Sequence, residues 1–556
     1  MGHDNDIEEL MLHMGDFGRY QAWQFFLHVI SALTAGIHMM SLVMVAAVPD
    51  HRCAIPGIDT ENFTAPWNST EVHEAIPKKS DGVLHNCLIF EPGRNLTVEC
   101  DSWVYDRTYY QSSRAIEWDL VCSQRWMGAL SQCAYMLGVF AGAVCLGTMA
   151  DKYGRKIIFY VSAVAQLVFG VTVALIPEYY TFLVVRFLYG IFGSAGAYIT
   201  GFVLTMEIVG PSKRTICGVA FQAIFALGVM LVAAWGSLIK DRMWLQIVYG
   251  LHSVLLIGHW WLIDESPRWL WAQGRVKEAV AIIERGLRMN GNNVDIDVAR
   301  YVSRAKASQR TKEERECGVL DLFRTPNLRK KSLNICLNWF ANSIAYYGLS
   351  LSTGNLLGNP FLMLFLSGLV EIPSYVMIVN LMDRTGRRSL VSTLMILGGV
   401  CSIVAPYIPR DVNGGVFVVV VGMLGKFLIA GSFAITYNYS AELFPTVLRN
   451  TALGVGSMSA RVSGAMTPMI ILLDSLDPRV PSVIFGCLVL VSGFLALYLP
   501  ETLDQPMPQT LEDGETFGVG DTCFTTCFGS RSRDKTTYDV ALQDSDYKES
   551  SKDNAA

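Results

Sequence analysis

The sequence predicts an all-α membrane protein, with twelve transmembrane helices arranged as two pseudo-symmetric six-helix halves. Three observations predict it. Of 556 residues, 51% are hydrophobic and only 17% charged, where an ordinary soluble domain carries about 25% charged residues. Roughly twelve stretches stay apolar for about 20 residues, the length that crosses a bilayer. Three polar motifs recur in the same order in the two halves of the chain. Mean hydropathy is +0.34, which excludes disorder for most of the chain. With Gly 48 and Cys 13, the collagen and disulfide-scaffold classes fail, and a net charge of -5 gives no reason to expect a nucleic-acid partner.

Residues 1–22 are acidic and lack an apolar core, so no cleavable signal peptide is expected there. The spans are read at 23–48, 126–149, 157–177, 179–205, 217–239, 244–263, 332–350, 360–381, 389–408, 416–437, 453–473 and 481–500. Backbone in lipid must satisfy its own hydrogen bonds, so these are helices, and the short alternating segments of a β-barrel are absent. Short-loop charge sets their direction. Lys152, Arg155 and Lys156 follow span 2, Lys213 and Arg214 follow span 4, Arg384, Arg387 and Arg388 follow span 8, and Arg449 follows span 10. Positive charge stays inside, so both termini are expected in the cytoplasm. The halves are then 23–263 and 332–500, joined by a cytoplasmic linker at 264–331 and followed by a tail at 501–556.

The loop at 49–125 falls outside. It holds Cys53, Cys87, Cys100 and Cys122, an even set in an oxidising compartment, with three connectivities open. It also holds acceptor sequons at Asn62, Asn68 and Asn95, so glycosylation is expected there. In the linker, the stretch from Arg275 to Arg288 has helical periodicity, and short surface helices are expected. The tail is polar and reads as disordered; Cys523 and Cys527 are either palmitoylated or two free thiols.

The recurrence gives the architecture. Asp151-Lys-Tyr-Gly-Arg-Lys156 returns as Asp383-Arg-Thr-Gly-Arg-Arg388, an offset of 232; Glu207 with Arg214 returns as Glu442 with Arg449, offset 235; Glu265 returns as Glu501, offset 236. Parallel repeats of six helices, with a binding site at mid-membrane between them, are one transporter architecture. Gly154 and Gly386 permit tight inner turns. Arg155 and Arg387 can pair there with Asp151, Asp383, Glu207 and Glu442, with Arg214 and Arg449 nearby. Such clusters can hold the inner face shut and break when it opens. Plain topogenic charge is the competing explanation, but it would not require the acid, the glycine and the recurrence.

With these motifs in view, the chain resembles the organic cation, organic anion and carnitine transporter family (solute carrier family 22 type) of the major facilitator superfamily. It is most similar to insect organic cation transporter-like members. The resemblance covers about 15–505 and rests on Gly15-Asp-Phe-Gly-Arg-Tyr-Gln21, Cys100-Asp-Ser-Trp-Val-Tyr-Asp106, Glu117-Trp-Asp-Leu-Val-Cys122, Glu265-Ser-Pro-Arg-Trp-Leu270, Asp321-Leu-Phe-Arg-Thr-Pro326 and Ala441-Glu-Leu-Phe-Pro-Thr446. The large cysteine-bearing outer loop discriminates, since sugar porters of the superfamily share the inner turns and lack that loop. Asp264, where the family usually has Pro, is a departure at a helix end. The resemblance implies a multi-pass plasma-membrane transporter.

Candidate site residues come from charge inside the spans, where an ionisable group costs roughly 2.5–3.5 kcal/mol on insertion scales and is by default functional. Glu371, Lys426 and Arg461 lie near the middle of spans 8, 10 and 11; Arg186, His28 and His38 are the first-half candidates. Glu371 can attract an ammonium group, Arg461 can grip a carboxylate as a fork, and Lys426 offers a point charge. Alternatively Glu371 pairs with Lys426 or Arg461 as a brace, which still leaves one cation over. The resemblance implies more: cation specialists of the family carry an acid where this chain has Arg461, and carnitine-type and anion-type members carry Arg. Trp339, Asn342, Tyr346, Tyr347 and Tyr198 complete the expected cavity, since aromatic faces attract quaternary ammonium by roughly 0.5–2 kcal/mol. Tyr437 and Tyr439 lie nearby, and Gly348 lets span 7 bend.

The expected function is secondary transport of an organic cation or zwitterion (a quaternary amine, carnitine-like or amine-conjugate solute) by alternating access. An organic anion exchanger is the alternative, and a non-transporting receptor on the same scaffold a remote one. No Walker A motif is present, and no metal-ligand cluster, nucleophile–base set or cofactor fingerprint lies in the spans, so no enzyme and no cofactor are expected. The expected partners are a small charged organic solute, membrane lipid, and a coupled ion or counter-substrate.

Overall fold

The structure is a computed structural model, and it describes residues 2–60, 64–78, 84–91, 96–292, 301, 303, 318–352, 358–409, 415–505 and 507–523. All twelve expected spans are helical among these residues. Spans 1 to 5 are Arg19–Val45, Arg125–Tyr153, Arg155–Leu175, Tyr179–Ile208 and Pro211–Leu238. Spans 7 to 12 are Pro326–Leu351, Pro360–Thr385, Arg387–Val404, Val416–Leu443, Thr446–Ile471 and Val480–Ala496. Proline in the first turn starts spans 5, 7, 8 and 12, where its missing N–H costs nothing. Among the described residues, eight helices are long and apolar enough to cross a membrane by length and composition alone. Spans 7 and 11 fall short because they carry Asn, Ser, Thr and Arg461, much of it turned into the bundle.

Two spans depart from a plain helix. Span 4 passes through a π-helical segment, Ile191–Tyr198. Span 6 was expected as one helix over 244–263. It is instead Arg242–Leu251, Val254–Ile257 and a 3-10 turn Gly258–Trp261, interrupted at His252 and Ser253. Periodicity cannot register such a break, because the sequence stays apolar through it.

The halves meet through span 2 against span 11 and span 5 against span 8. Within the first half, Gly138 and Gly190 bring spans 2 and 4 so close that neither position has room for a Cβ. The cysteine loop lies on one face, called outer, and the linker on the other, called inner. Outside, two short antiparallel pairs, His51–Cys53 with Trp103–Tyr105 and Leu88–Phe90 with Thr97–Glu99, are stitched by Cys53–Cys100 and Cys87–Cys122. That resolves the connectivity left open by the sequence. Asp59 is the hub of this unit. It accepts from Arg52 at 2.7 and 2.9 Å and from the Ile55 and Ala65 amides, each at 2.8 Å. Burial opposes its charge, but these four donors outweigh burial and hold its carboxyl at about 2. Asn68 is exposed, while Asn62 and Asn95 lie outside the described residues.

Inside, the amphipathic helix Val276–Asn290 packs Ala279, Val280, Ile283 and Leu287 against Ile7, Leu10 and Met14 of a helix at Gly2–Met14. The tail expectation needs correction over 507–523. There Leu511–Thr516 is helical, and the Glu515 carboxylate accepts from the Asn327 and Leu328 amides at the start of span 7. Lys331 donates to the Gly514 and Phe517 carbonyls at 3.0 and 2.6 Å, and Asp521 pairs with Arg388. A polar segment orders when its acids find free helix-end amides and buried cations, which composition does not reveal. Residues 524–556, with Cys527, lie outside the described residues.

Candidate functional site

The inner turns are built alike in both halves. Arg155 reaches Asp151 at 3.1 Å and Glu207 at 3.0 Å; Arg387 reaches Asp383 and Glu442, each at 3.0 Å. Glu265 accepts from the Arg155 and Lys156 amides, and Glu501 from the Arg387 amide, so each caps the helix that follows its turn. Burial pushes the Glu265 carboxyl up, against the pull of those amides. Gly154 and Gly386 sit at φ +112° and +85°, and a Cβ there would meet Glu265 and Glu501 at 2.5 and 2.6 Å. Arg214 and Arg449 lie within electrostatic range of Glu207 and Glu442 but hydrogen-bond elsewhere: Arg214 donates to the Val209 carbonyl, and Arg449 meets the Met507 sulfur.

Among the described residues, every inner-turn ion pair stays within its own half. On the outer face a pair crosses between halves: Arg125, at the start of span 2, meets Asp474, beyond span 11, at 2.6 Å. Phe361, opening span 8, packs its ring 5.4 Å from Tyr110 of the outer loop and lies against Gly236 of span 5. The molecule is therefore closed on its outer side.

The structure divides the sequence-predicted site residues into two groups. The first is sealed in the second half. Glu371, 1% exposed, pairs with Lys426 at 3.1 Å and accepts from the Tyr346 and Tyr375 hydroxyls at 2.9 and 3.0 Å. The Lys426 ammonium also donates to the Tyr346 carbonyl and Ser350 hydroxyl, and lies 3.3 Å from the centre of the Tyr346 ring. Asn342 fastens span 7 to Ser432 and Thr436 of span 10, and the Trp339 indole donates to Ser440 at 3.0 Å. The brace left open by the sequence is the arrangement seen here, with Arg461 as the surplus cation.

The second group stays half-buried between the halves: Arg461, Tyr347 and Tyr198. One guanidinium nitrogen of Arg461 is held by the carbonyl and hydroxyl of Ser457, one turn back on its own helix. Its Nε is buried without a partner, and no carboxylate pairs with it among the described residues. Tyr347, Tyr198 and Tyr437 are its electrostatic neighbours. An aromatic wall continues from them. Tyr437 packs edge-on to Trp339 at 5.7 Å and to Phe202 at 5.3 Å, and Phe202 packs on Phe221.

Sequence reasoning missed Phe202, Phe221, Tyr375 and Ser350. Signals for three of them existed. Phe202 stands 235 residues before Tyr437, the repeat offset, and the two rings meet across the halves. Tyr375 follows Glu371 by four residues and Ser350 follows Tyr346 by four, so each shares a helix face with its partner.

Against known proteins, residues 93–512 match the family model described as sugar (and other) transporter. The Drosophila melanogaster organic cation transporter protein is 39% identical over 529 residues, covering 93% of this chain and 95% of the relative. The human organic cation/carnitine transporter 2 is 32% identical over 530 residues, covering 91% and 93%. The chain belongs to this family. It is a solute carrier family 22 member of the major facilitator superfamily, and so a multi-pass membrane transporter rather than an enzyme. The fold agrees: the partially occluded inward-open xylose transporter XylE from E. coli superposes with a TM-score of 0.56 at 14% identity, covering 88% of this chain and 99% of that one.

Proposed function

We propose that this family member moves organic cations or zwitterions across the plasma membrane by alternating access, with both termini in the cytoplasm. Quaternary amines, carnitine-like solutes and amine conjugates are the class in view. The observation that carries the reading is Arg461: half-buried between the halves, without a carboxylate partner among the described residues, and ringed by Tyr198, Tyr347 and Tyr437. A guanidinium in that position binds a carboxylate as a fork, while the aromatic wall takes the ammonium end through its ring faces. The relatives named for organic cations and for carnitine support the same solute class.

Phe202 and Tyr437, related by the repeat and stacked edge to face, form the inner barrier to the cavity in this reading. The inner-turn clusters at Arg155 and Arg387 hold each half's inner ends together while the halves rock, and a coupled ion or counter-substrate completes the cycle. An organic anion exchanger is the second reading. What favours it is that Glu371 is already neutralised by Lys426, which leaves the cavity with one net positive charge. The membrane potential separates the two physically, since it is worth about 2.3 kcal/mol per charge per 100 mV and drives a cation in while opposing an anion.

The test is uptake of labelled quaternary amine, carnitine-like zwitterion and dicarboxylate by the wild type and Arg461→Asp. Selective loss of the carboxylate-bearing solutes is the expected result. Equal loss of all three classes would make Arg461 a structural residue and remove the basis of the reading.

A further inference from the structure

The first half holds a second buried polar cluster, which adjoins the cavity just described where Tyr347 packs on the core that holds Tyr135 and Tyr189. Span 1 brings His38 to it, span 4 Arg186 and Tyr189, span 2 Gln132 and Tyr135, and span 6 Ser253, and each is buried. Both irregular spans converge here. Ser253 lies in the break of span 6, and the π-helical segment of span 4 begins directly after Tyr189 and Gly190. Discontinuous spans and π segments mark sites more often than plain packing.

The hydrogen bonding of His38 has a particular form. Its Nε2 faces the Ser253 hydroxyl at 2.9 Å, and its Nδ1 faces the Tyr189 hydroxyl. A hydroxyl both donates and accepts. The ring therefore keeps two hydrogen bonds as either neutral tautomer and also as the imidazolium, and gaining a proton needs only hydroxyl rotations.

Beside it stands a fixed positive charge. The Arg186 guanidinium lies 4.5 Å from the Tyr135 ring centre and 5.8 Å from that of Tyr189. It donates to Gln132 Oε1 at 3.2 Å, while its Nε and Nη1 are buried without partners, and no carboxylate pairs with it among the described residues. The charged or titratable groups facing His38 are Arg186 and Tyr189 from span 4 and His252 from span 6, with Tyr135 of span 2 behind Arg186. None of them is an acid that could hold the proton in place.

We propose that His38 is a proton site coupled to solute movement, with Arg186 as the group that expels the proton in this outer-closed state. This rests on the transport reading above and names its coupling ion. When the halves open outward, water screens Arg186 from His38 and the ring takes a proton from the outside, Tyr189 and Ser253 turning to accept. Closure removes the water, two cations then face each other at low dielectric, and the proton leaves to water on the inner side once the Phe202–Tyr437 contact parts. One proton enters with each solute, and Tyr189 and Ser253 are positioning residues that act through the ring.

The experiment uses the full chain in proteoliposomes, with the best solute of the uptake panel and the potential clamped. Three quantities are measured: counterflow without a pH gradient, uptake with the outside one unit more acid, and acidification of the lumen when solute is added outside. In the wild type, the one-unit gradient supports about tenfold accumulation at one proton per solute, with lumen acidification. His38→Gln keeps a hydrogen-bonding side chain without a titrating one. It loses the gradient response and the acidification while counterflow persists at a reduced rate. His28→Gln, a buried histidine of the same span bonded to Thr205, retains the gradient response. Wild-type counterflow with neither gradient response nor acidification overturns the inference and leaves the transport reading standing. A response that survives in His38→Gln overturns the assignment to His38. Should that variant not fold, Tyr189→Phe with Ser253→Ala replaces it, since loss of both hydroxyls removes the same response. Absence of counterflow for every solute sinks the transport reading itself, and this inference with it.

Discussion

Glu371→Gln distinguishes a brace from a receptor, and the structure sets the expected size of its effect. Glu371 and Lys426 are 1% and 2% exposed and 3.1 Å apart. Glutamine keeps an oxygen for the Tyr346 and Tyr375 hydroxyls, so the change removes the ion pair and little else. Lys426 is then left as a buried ammonium with one carbonyl, one hydroxyl and a ring face. Breaking a buried pair from one side costs about 3–5 kcal/mol, less what Lys426 recovers by shedding its proton. At about 2 °C or less per kcal/mol for a unit this large, the melting temperature in detergent should fall by roughly 5 °C. Glu371→Gln with Lys426→Met removes both charges, and replacing a buried pair by apolar groups is often neutral or stabilising. The double variant should therefore regain most of the lost stability and, with it, uptake of every solute class. The reasoning is refuted if Glu371→Gln melts within a degree of the wild type yet loses cation uptake alone, because Glu371 would then be meeting solute. A double variant no more stable than the single one would refute it equally.

Further outcomes follow from the same geometry. Gly386→Ala forces a side chain into a positive-φ, extended conformation, at about 1–3 kcal/mol, and drives a methyl into Glu501, so the span 9 cap loosens; turnover should fall several-fold with solute affinity little changed, read from uptake kinetics. In the outer loop, Asp59 titrates at about 2 rather than its usual 3.8, so its contribution is present above about pH 4 and lost as pH falls through 2. That contribution is roughly 2 kcal/mol, and Asp59→Asn should flatten the acid limb of loop stability measured by limited proteolysis. Glu515→Ala removes the carboxylate shared by Thr325 and the Asn327 and Leu328 amides, and should cost about 1–2 kcal/mol, seen as a lower melting temperature.

Much of this architecture was legible because lipid leaves few options. Twelve apolar stretches of bilayer length, two related inner turns and an even cysteine set fix the helices, the halves and the bonded loop. What the sequence left open turns on depth and direction. Glu371, Lys426 and Arg461 read alike as mid-span charges, yet two are sealed against each other and the third faces the space between halves. Span position gives the depth of a charge in the membrane, but which helix it faces depends on how spans 7, 8 and 10 rotate against one another. The ordered stretch at 507–523 escaped for another reason: its acids are held by helix-end amides and a buried lysine that only the folded inner face brings together. Span 6 hides its break because His252 and Ser253 interrupt an apolar run without ending it.

The two halves differ in how they manage buried charge, and the difference bears on which of them moves solute and which carries the driving ion. In the second half Lys426 is neutralised within 3.1 Å by Glu371 and hydrogen-bonded on its remaining sides, so that cluster has nothing left to bind. Arg461 has spare donors where the halves part. Arg186 has spare donors deep within the first half, beside a histidine whose partners tolerate a proton. Natural bundles seldom keep an uncompensated guanidinium in their interior unless its charge is used. If Arg461 meets the solute and Arg186 drives off a proton, the repeated inner turns, which bind each half into a unit, are what allow an event in one half to be felt in the other.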